Sequence, residues 1–298
     1  MYRVTRDQLI YAMSAQNTPV LKVEDGATLI FETCDCFENQ ITSVNTPFNS
    51  LNWNRINPAT GPVYVEGAEP GDILAVTIDR IKIADHGVML TGPGLGVMGS
   101  ELETNQIKLI PIRGEKASFQ EGLELPLNPM IGVIGIAPEH EEISCGTPGL
   151  HGGNMDCKII KEGCTIYLPV NVPGALLAMG DLHAVMGDGE VSVSGVEIQG
   201  EVTVRVNVLK NLDWKLPLVR TTESVYTIAS ELTLDEAVVT VTKNMVHLLE
   251  TKCNLTKDDA IKLLSIAANL QICQVVDPLK TVRMELSIRI LETLGFQF

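Results

Sequence analysis

Val202, Val204, Val206 and Val208 alternate with Thr203, Arg205, Asn207 and Leu209. A period of two puts the valines on one face of a strand, and an apolar face of that kind has to be covered by a second layer. The same signature recurs upstream. Leu74, Val76 and Ile78 alternate after the turn Pro70-Gly71-Asp72, and the apolar face then passes to Ile81 and Ile83. That change of parity calls for one inserted residue near Asp79-Arg80, a β-bulge. Ala27 to Thr33 follows the turn Asp25-Gly26 as a further strand, and Gly195 separates Val191-Val193 from Val196-Ile198 at a bulge or bend.

The last third changes period. Thr233-Leu234-Asp235-Glu236 is a capping box, and Leu234, Ala237, Val238, Val241, Met245 and Leu248 follow it at helical spacing. Thr256, with Asp259 three residues on, opens a second helix that runs to roughly Ala268. Val282, Met284, Leu286, Ile288 and Ile290 then alternate with Arg283, Glu285, Ser287 and Arg289, a terminal strand that returns to a sheet. The expected fold class is α+β, mostly β: antiparallel sheets, a C-terminal helical hairpin and a returning strand. No Pro/Gly/Ser linker marks a boundary. Residues 1–298 therefore read as one unit, softly divided into a β-rich 1–210 and an α+β 211–298.

Composition narrows the function classes. Apolar residues make up 45 % of the 298 but aromatics only 4 %, so the core must be aliphatic. The formal net charge of −15 repels phosphate backbones and anionic lipid, so neither nucleic acid nor a membrane is an expected partner. Met1 to Asp7 lacks the apolar core of a secretory signal. The longest uncharged run, Gly163 to Gly180, carries Pro169, Asn171 and Pro173, which argues against a membrane span. Seven cysteines at irregular spacing suit reduced thiols, and a cytoplasmic location is the expectation.

Chemistry concentrates in three acid/His clusters on glycine-bounded turns: Gly149 to Asp156, Gly180 to His183, and Gly187 to Glu190. In an extended segment Asp181 and His183 face the same side, a spacing suited to two ligands on one ion. An Asp–His hydrogen bond at a strand end gives the same pattern. The Gly152-Gly153 amides, flanked by His151, Asn154 and Asp156, suit an anion or a developing oxyanion. A glycine turn with Asn and Asp in turn roles suits the same letters. Asp188-Gly189-Glu190 alone reads as a hairpin turn, and its place after His183 brings Glu190 into the candidate site.

Glu142, in the run Glu139-His140-Glu141-Glu142, is either a general base or part of a solvated loop. Asp35, between Cys34 and Cys36, is a further ligand or a turn cap. Cys145, close to His151 in sequence, is a rival nucleophile. The chain has no G-x-S-x-G elbow, P-loop or G-x-G-x-x-G. Gly92-Pro93-Gly94-Leu95-Gly96 reads as a loop near a pocket.

Taken in order, these segments resemble the acetamidase/formamidase family. The matching pieces are Gly67 to Asp72, Gly146 to Asp156, Leu168 to Ala175, Gly180 to Ala184 and Gly187 to Glu190, with Phe31 to Asp35 as the N-terminal segment. Leu150 departs from the pattern. The resemblance implies hydrolysis of short aliphatic amides, formamide or acetamide, to carboxylate and ammonia. It also implies a β-sandwich-containing fold, a homodimer or larger homo-oligomer, and metal ions near the motifs. The positions it singles out are His151, Asp156, Asp181, His183 and Glu190, with Asp35 added.

Asp35, His151, Asp181 and His183 are then metal ligands, most simply of Zn²⁺, with Ca²⁺ or Mg²⁺ suited to a second, carboxylate-rich site. Glu190, Glu142 and Asp156 are the catalytic carboxylates, and Gly152, Gly153 and Asn154 bind substrate. Two rivals stand beside this reading. One is a thiol-dependent amidase using Cys145. The other is a non-catalytic, metal-stabilised β-sandwich that binds a small polar ligand.

Overall fold

The structure, a computed structural model, describes residues 1–296. The valine-rich segment forms the strand Gly200–Leu209, antiparallel to Thr28–Thr33 on one side and to Ile73–Ile83 on the other. Val202, Val204 and Val206 are fully buried. Burial of one such side chain contributes roughly 1.5–3 kcal/mol. The bulge lies where parity places it: Thr203 pairs with Arg80 and Val204 with Ile78, leaving Asp79 as the extra residue. Asp79 accepts both hydrogen bonds of the Arg205 fork across the strands, at 2.9 and 3.0 Å.

These strands are the middle of a nine-stranded sheet. Its order is Tyr2–Val4, Thr28–Thr33, Gly200–Leu209, Ile73–Ile83, Thr165–Pro169, Leu218–Arg220, Ser224–Glu231, Lys280–Ser287 and Asn269–Gln274. Strands from both sides of residue 210 share this sheet. One face packs on an eleven-stranded sheet around Leu29, Phe31, Val76, Ile134, Met179 and Leu182. The other face, through Ile73, Val225, Val282 and Leu286, is covered by Val241, Met245 and Leu249 of the helix Leu234–Cys253. The α+β, mostly β architecture is therefore a sandwich with helices on one outer face. No helix among the described residues is long and apolar enough to cross a membrane.

Both helices start where the caps place them. Thr233 and Glu236 form the reciprocal capping box, and Thr256 caps Lys257–Ala267 through Asp259 N–H. Two expectations need correction. The returning strand ends at Ser287, and Ile288 and Ile290 belong to the helix Ile288–Thr293. Its ladder runs out there, because Ser287 pairs with Ser224, the first residue of the partner strand. Residues 191–195 form turns and a bend, and only Glu197–Ile198 is strand.

The strand Leu177–His183 positions the site. All seven of its residues are buried. One edge pairs with Met130–Gly135 along its length. The other edge pairs with Ala59–Val65 as far as Gly180, then with Glu197–Ile198 from Leu182 onward. Asp181 stands at this change of partner.

Candidate active site

Asp181 has φ of 53°, a left-handed conformation rare for a residue with a side chain. Asp156 and Glu190 share it, with φ of 41° and 47°. Strained backbone of this kind persists where surrounding structure over-determines it, and it clusters at functional sites. Here it turns three carboxylates toward one imidazole. From His183 Nε2 the distances are 3.1 Å to Glu197 Oε2, 3.4 Å to Asp181 Oδ1, 3.7 Å to Asp156 Oδ1 and 3.9 Å to Glu190 Oε1. All five side chains are at most 4 % exposed.

Two glycines make the space. A Cβ on Gly132 would lie 2.5 Å from Asp156 Oδ1 and 2.6 Å from Asp181 Oδ2. A Cβ on Gly195 would lie 2.8 Å from Nδ1 of His183. Backbone and functional groups approach closely only because neither residue has a side chain.

The donors fall into two separate sets, the atoms of each within 4.8 Å of one another: Asp156, His183 and Glu190, and Cys36, Asp181 and Glu197. One ring nitrogen offers at most one proton, so His183 cannot satisfy four carboxylates. Asp156 Oδ1, Asp181 Oδ1, Glu197 Oε2 and Asn154 Oδ1 are buried without a hydrogen bond.

The shortage of positive charge shifts the proton affinities of these groups. Burial, with mutual repulsion added, raises the Glu190, Glu197 and Asp277 carboxyls above the usual range. Burial also acts on Asp181, but the adjacent His183 brings that carboxyl below it. His183 resists its own burial, and Glu197 and Asp181 hold it well above the ordinary imidazole value.

A cavity of about 100 Å³ opens beside this cluster. Asp156, Asp181, Glu190, Glu197, Asn154 and Asp277 form its polar side. Phe37, Trp53, Ile56, Leu90, Leu95 and Val193 form its apolar side. Asn154, on the cavity wall, donates from Nδ2 to Asp277 Oδ2 at 3.1 Å, and its Oδ1 is buried without a hydrogen bond.

Of the residues singled out in the sequence, the structure brings together Asp156, Asp181, His183, Glu190 and Asn154. It does not bring the others there. Asp35 is a turn cap: its Oδ1 accepts from the N–H groups of Phe37 and Asn39 at 3.0 and 2.7 Å. Burial lifts its carboxyl to about 6, and it lines a separate cavity with His86. The imidazole of His151 folds against Gly149 and Gly153, with burial pushing it down to about 4. It is not among the residues that line the cavity.

Gly152 and Gly153 are ladder residues, opposite Gly135 and Ile134, and Gly152 N–H is committed to Gly149 O at 3.1 Å. A Cβ on Gly153 would lie 2.3 Å from Thr147 O, so close packing explains this glycine. Glu142 is exposed on a loop, away from the cluster. The Cys145 thiol is completely buried against Ile10 O, and burial pushes it up to about 12. A thiol so buried and so raised, and not on the cavity wall, weighs against the thiol route.

Sequence reading missed Glu197, Cys36 and Asp277. Glu197 carried a signal: an acid between Val196 and Ile198, flanked by apolar residues. Cys36 and Asp277 carried none, because they sit on a turn and a bend that only tertiary packing brings to the cavity.

A clasp behind the cluster fixes two of its loops. Asp188 accepts from both Arg283 nitrogens at 2.8 Å and pairs with Lys158 at 2.8 Å. Lys158 lies two residues past Asp156, and Asp188 two before Glu190. Gly189 N–H donates to Cys273 O at 2.8 Å, so Asp188-Gly189 docks on the edge strand Asn269–Gln274 instead of closing a hairpin.

Comparison with known proteins agrees with this architecture. A crystal structure of an acetamidase from Bacillus halodurans superposes with a TM-score of 0.97 at 50 % identity, covering 98 % of this chain and 99 % of that one. A predicted acetamidase/formamidase from Thermoanaerobacter tengcongensis gives a TM-score of 0.98 at 50 % identity, covering 100 % and 99 %. The formamidase of Methylophilus methylotrophus is 42 % identical over 65 residues, 22 % of this chain and 16 % of that relative. The chain matches less than two thirds of the length of its curated relatives. The model of the Acetamidase/Formamidase family matches residues 15–145 and 142–292. By that match, which spans both sheets and the helices, the chain belongs to the acetamidase/formamidase family.

Proposed function

We propose that this protein hydrolyses short linear amides, formamide or acetamide, to carboxylate and ammonia, with a divalent cation held by the buried cluster. The observation that carries this reading is a set of buried carboxylates, short of positive charge, along one wall of a small, otherwise apolar cavity. The family relatives described as acetamidase and formamidase support the choice of substrate.

The residues present fit a cation. Buried carboxylates are stable only when paired or ligating, and here three unsatisfied oxygens, of Asp156, Asp181 and Glu197, lie within 3.7 Å of His183 Nε2. Asp156, Asp181 and His183 would hold it. A His/carboxylate set suits Zn²⁺, as does the Cys36 thiol beside Asp181 and Glu197. When bound, the cation polarises the amide carbonyl and lowers the pKa of water. The protein's own groups do the rest. Asn154 Oδ1, buried and free, accepts from the amide N–H and orients the leaving nitrogen. A Glu190 oxygen, on the cavity wall, takes the proton from water and passes it to that nitrogen. The apolar side excludes competing water and strengthens these electrostatic contacts.

The test pairs elemental analysis of the purified protein with ammonia release from formamide and acetamide. Activity should vanish on chelation and return with zinc. Activity that survives complete metal removal overturns the role of the cation, and no ammonia from any short amide overturns the reaction.

A further inference from the structure

The cavity has a polar side and an apolar side, and the apolar side is built from two kinds of residue. Phe37 and Leu90 are buried and belong to a packed cluster behind the wall. Leu95, packed on the edge of that cluster, comes from a loop, and Trp53 from the short 3-10 helix Trp53–Arg55. Leu95 is half-buried and Trp53 is 44 % exposed. The space is about 100 Å³, smaller than a cavity of about 150 Å³ that holds benzene. An amide of very few heavy atoms fills it. Its carboxamide belongs with the carboxylates and Asn154, so its alkyl group must meet the apolar side.

The glycine-rich loop is shaped to hold Leu95 there. Gly94 and Gly96 adopt φ of 76° and 72°, and Gly94 N–H donates to Gly99 O at 3.0 Å. Gly96 lies so close to the turn after Glu190 that a Cβ would come within 2.5 Å of Val191 O. Val97 N–H also donates to Val191 O, at 2.8 Å. Leu95 is thus anchored to the segment that carries Glu190. Trp53 is braced by Phe48, with ring centroids 4.9 Å apart.

We propose that Leu95, with Trp53 beside it, sets the upper limit on the acyl chain of the amide substrate. The inference rests on the amide-hydrolase reading. It assigns the glycine loop a role in selecting chain length, separate from the carboxylate chemistry.

The test measures kcat/KM by ammonia release for the linear amides from formamide to hexanamide, with wild type, Leu95→Ala and Leu95→Trp. One methylene in an apolar pocket changes discrimination by roughly 10–200-fold. Leu95→Ala should therefore raise the pentanamide-to-acetamide ratio at least about tenfold. Leu95→Trp should lower the propionamide-to-formamide ratio by a similar factor. Unchanged ratios in both variants overturn the inference and leave amide hydrolysis standing. Inactivity of both variants also overturns it, because a length limit alters ratios without abolishing the reaction. A wild type that releases no ammonia from any of these amides overturns the underlying reading instead.

Discussion

His183 and Glu197 face each other directly across two antiparallel strands, with Nε2 3.1 Å from Oε2. The register of Leu177–His183 against Glu197–Ile198 makes this pair, and everything else in the cluster is arranged around it. Both side chains are at most 2 % exposed.

Glu197→Gln keeps the shape of the side chain and removes its charge. Bound divalent cation should fall below stoichiometric and ammonia release should drop at least about 100-fold, the scale of a lost electrostatic group in an active site. Circular dichroism should be unchanged, since glutamine fills nearly the same space as glutamate. Full activity with full cation content would remove Glu197 from the site.

Gly132→Ala tests the cradle. The new methyl would sit 2.5 Å from Asp156 Oδ1 and 2.6 Å from Asp181 Oδ2, so one carboxylate must move. A displacement near 1 Å typically costs about 100-fold in rate. Activity and cation affinity should fall together. A fully active Gly132→Ala would show that the two carboxylates need not lie where the structure has them.

Asp188→Ala tests the clasp. It leaves Arg283, whose side chain is 2 % exposed, without its carboxylate. Breaking a buried ion pair on one side typically destabilises by about 3–5 kcal/mol. Asp188 itself is 33 % exposed, so the lower end is expected. Urea unfolding should show it, and a loss below about 0.5 kcal/mol, the size of an ordinary surface substitution, would argue that the clasp is incidental.

Glu285 gives a pH-dependent signature. Burial tends to raise its carboxyl, but hydrogen bonds from Ser224, Tyr226, Asn269 and Gln271 hold it below the ordinary 4.5. A folded-state pKa below the unfolded one adds stability that is complete above the unfolded value and is lost as pH falls through the folded value. Glu285→Gln should lower Tm at pH 7, and the difference from wild type should close as the pH drops below 4.5. A difference that persists unchanged into acid would assign the effect to packing.

The period-two valines, the bulge at Asp79 and both helix caps were legible because each depends on residues near one another in the chain. The acid/His clusters were legible in part. Asp156, Asp181, His183 and Glu190 do converge, although the reasoning for Asp181 and His183 assumed a regular strand and Asp181 departs from one. His151, Gly152 and Gly153 do not line the cavity, and for the two glycines the sequence could not show this, because a glycine that relieves close packing and one that frees an amide for a ligand look identical in sequence. Glu142 and Asp35 show the same limit for carboxylates: burial and capping separate a solvated acid, a turn cap and a ligand.

The sequence by itself determined the alternation of strands, the helix starts, an aliphatic core and the family to which the chain belongs. Side-chain periodicity and capping are local, so they survive without coordinates. Only the tertiary structure decided which carboxylates meet. Cys36, Asn154, Glu197 and Asp277 come from distant segments, and sheet register and the turns between strands bring them to one cavity. A shift of one residue in that register would turn Glu197 away from His183, because successive side chains on a strand point to opposite faces.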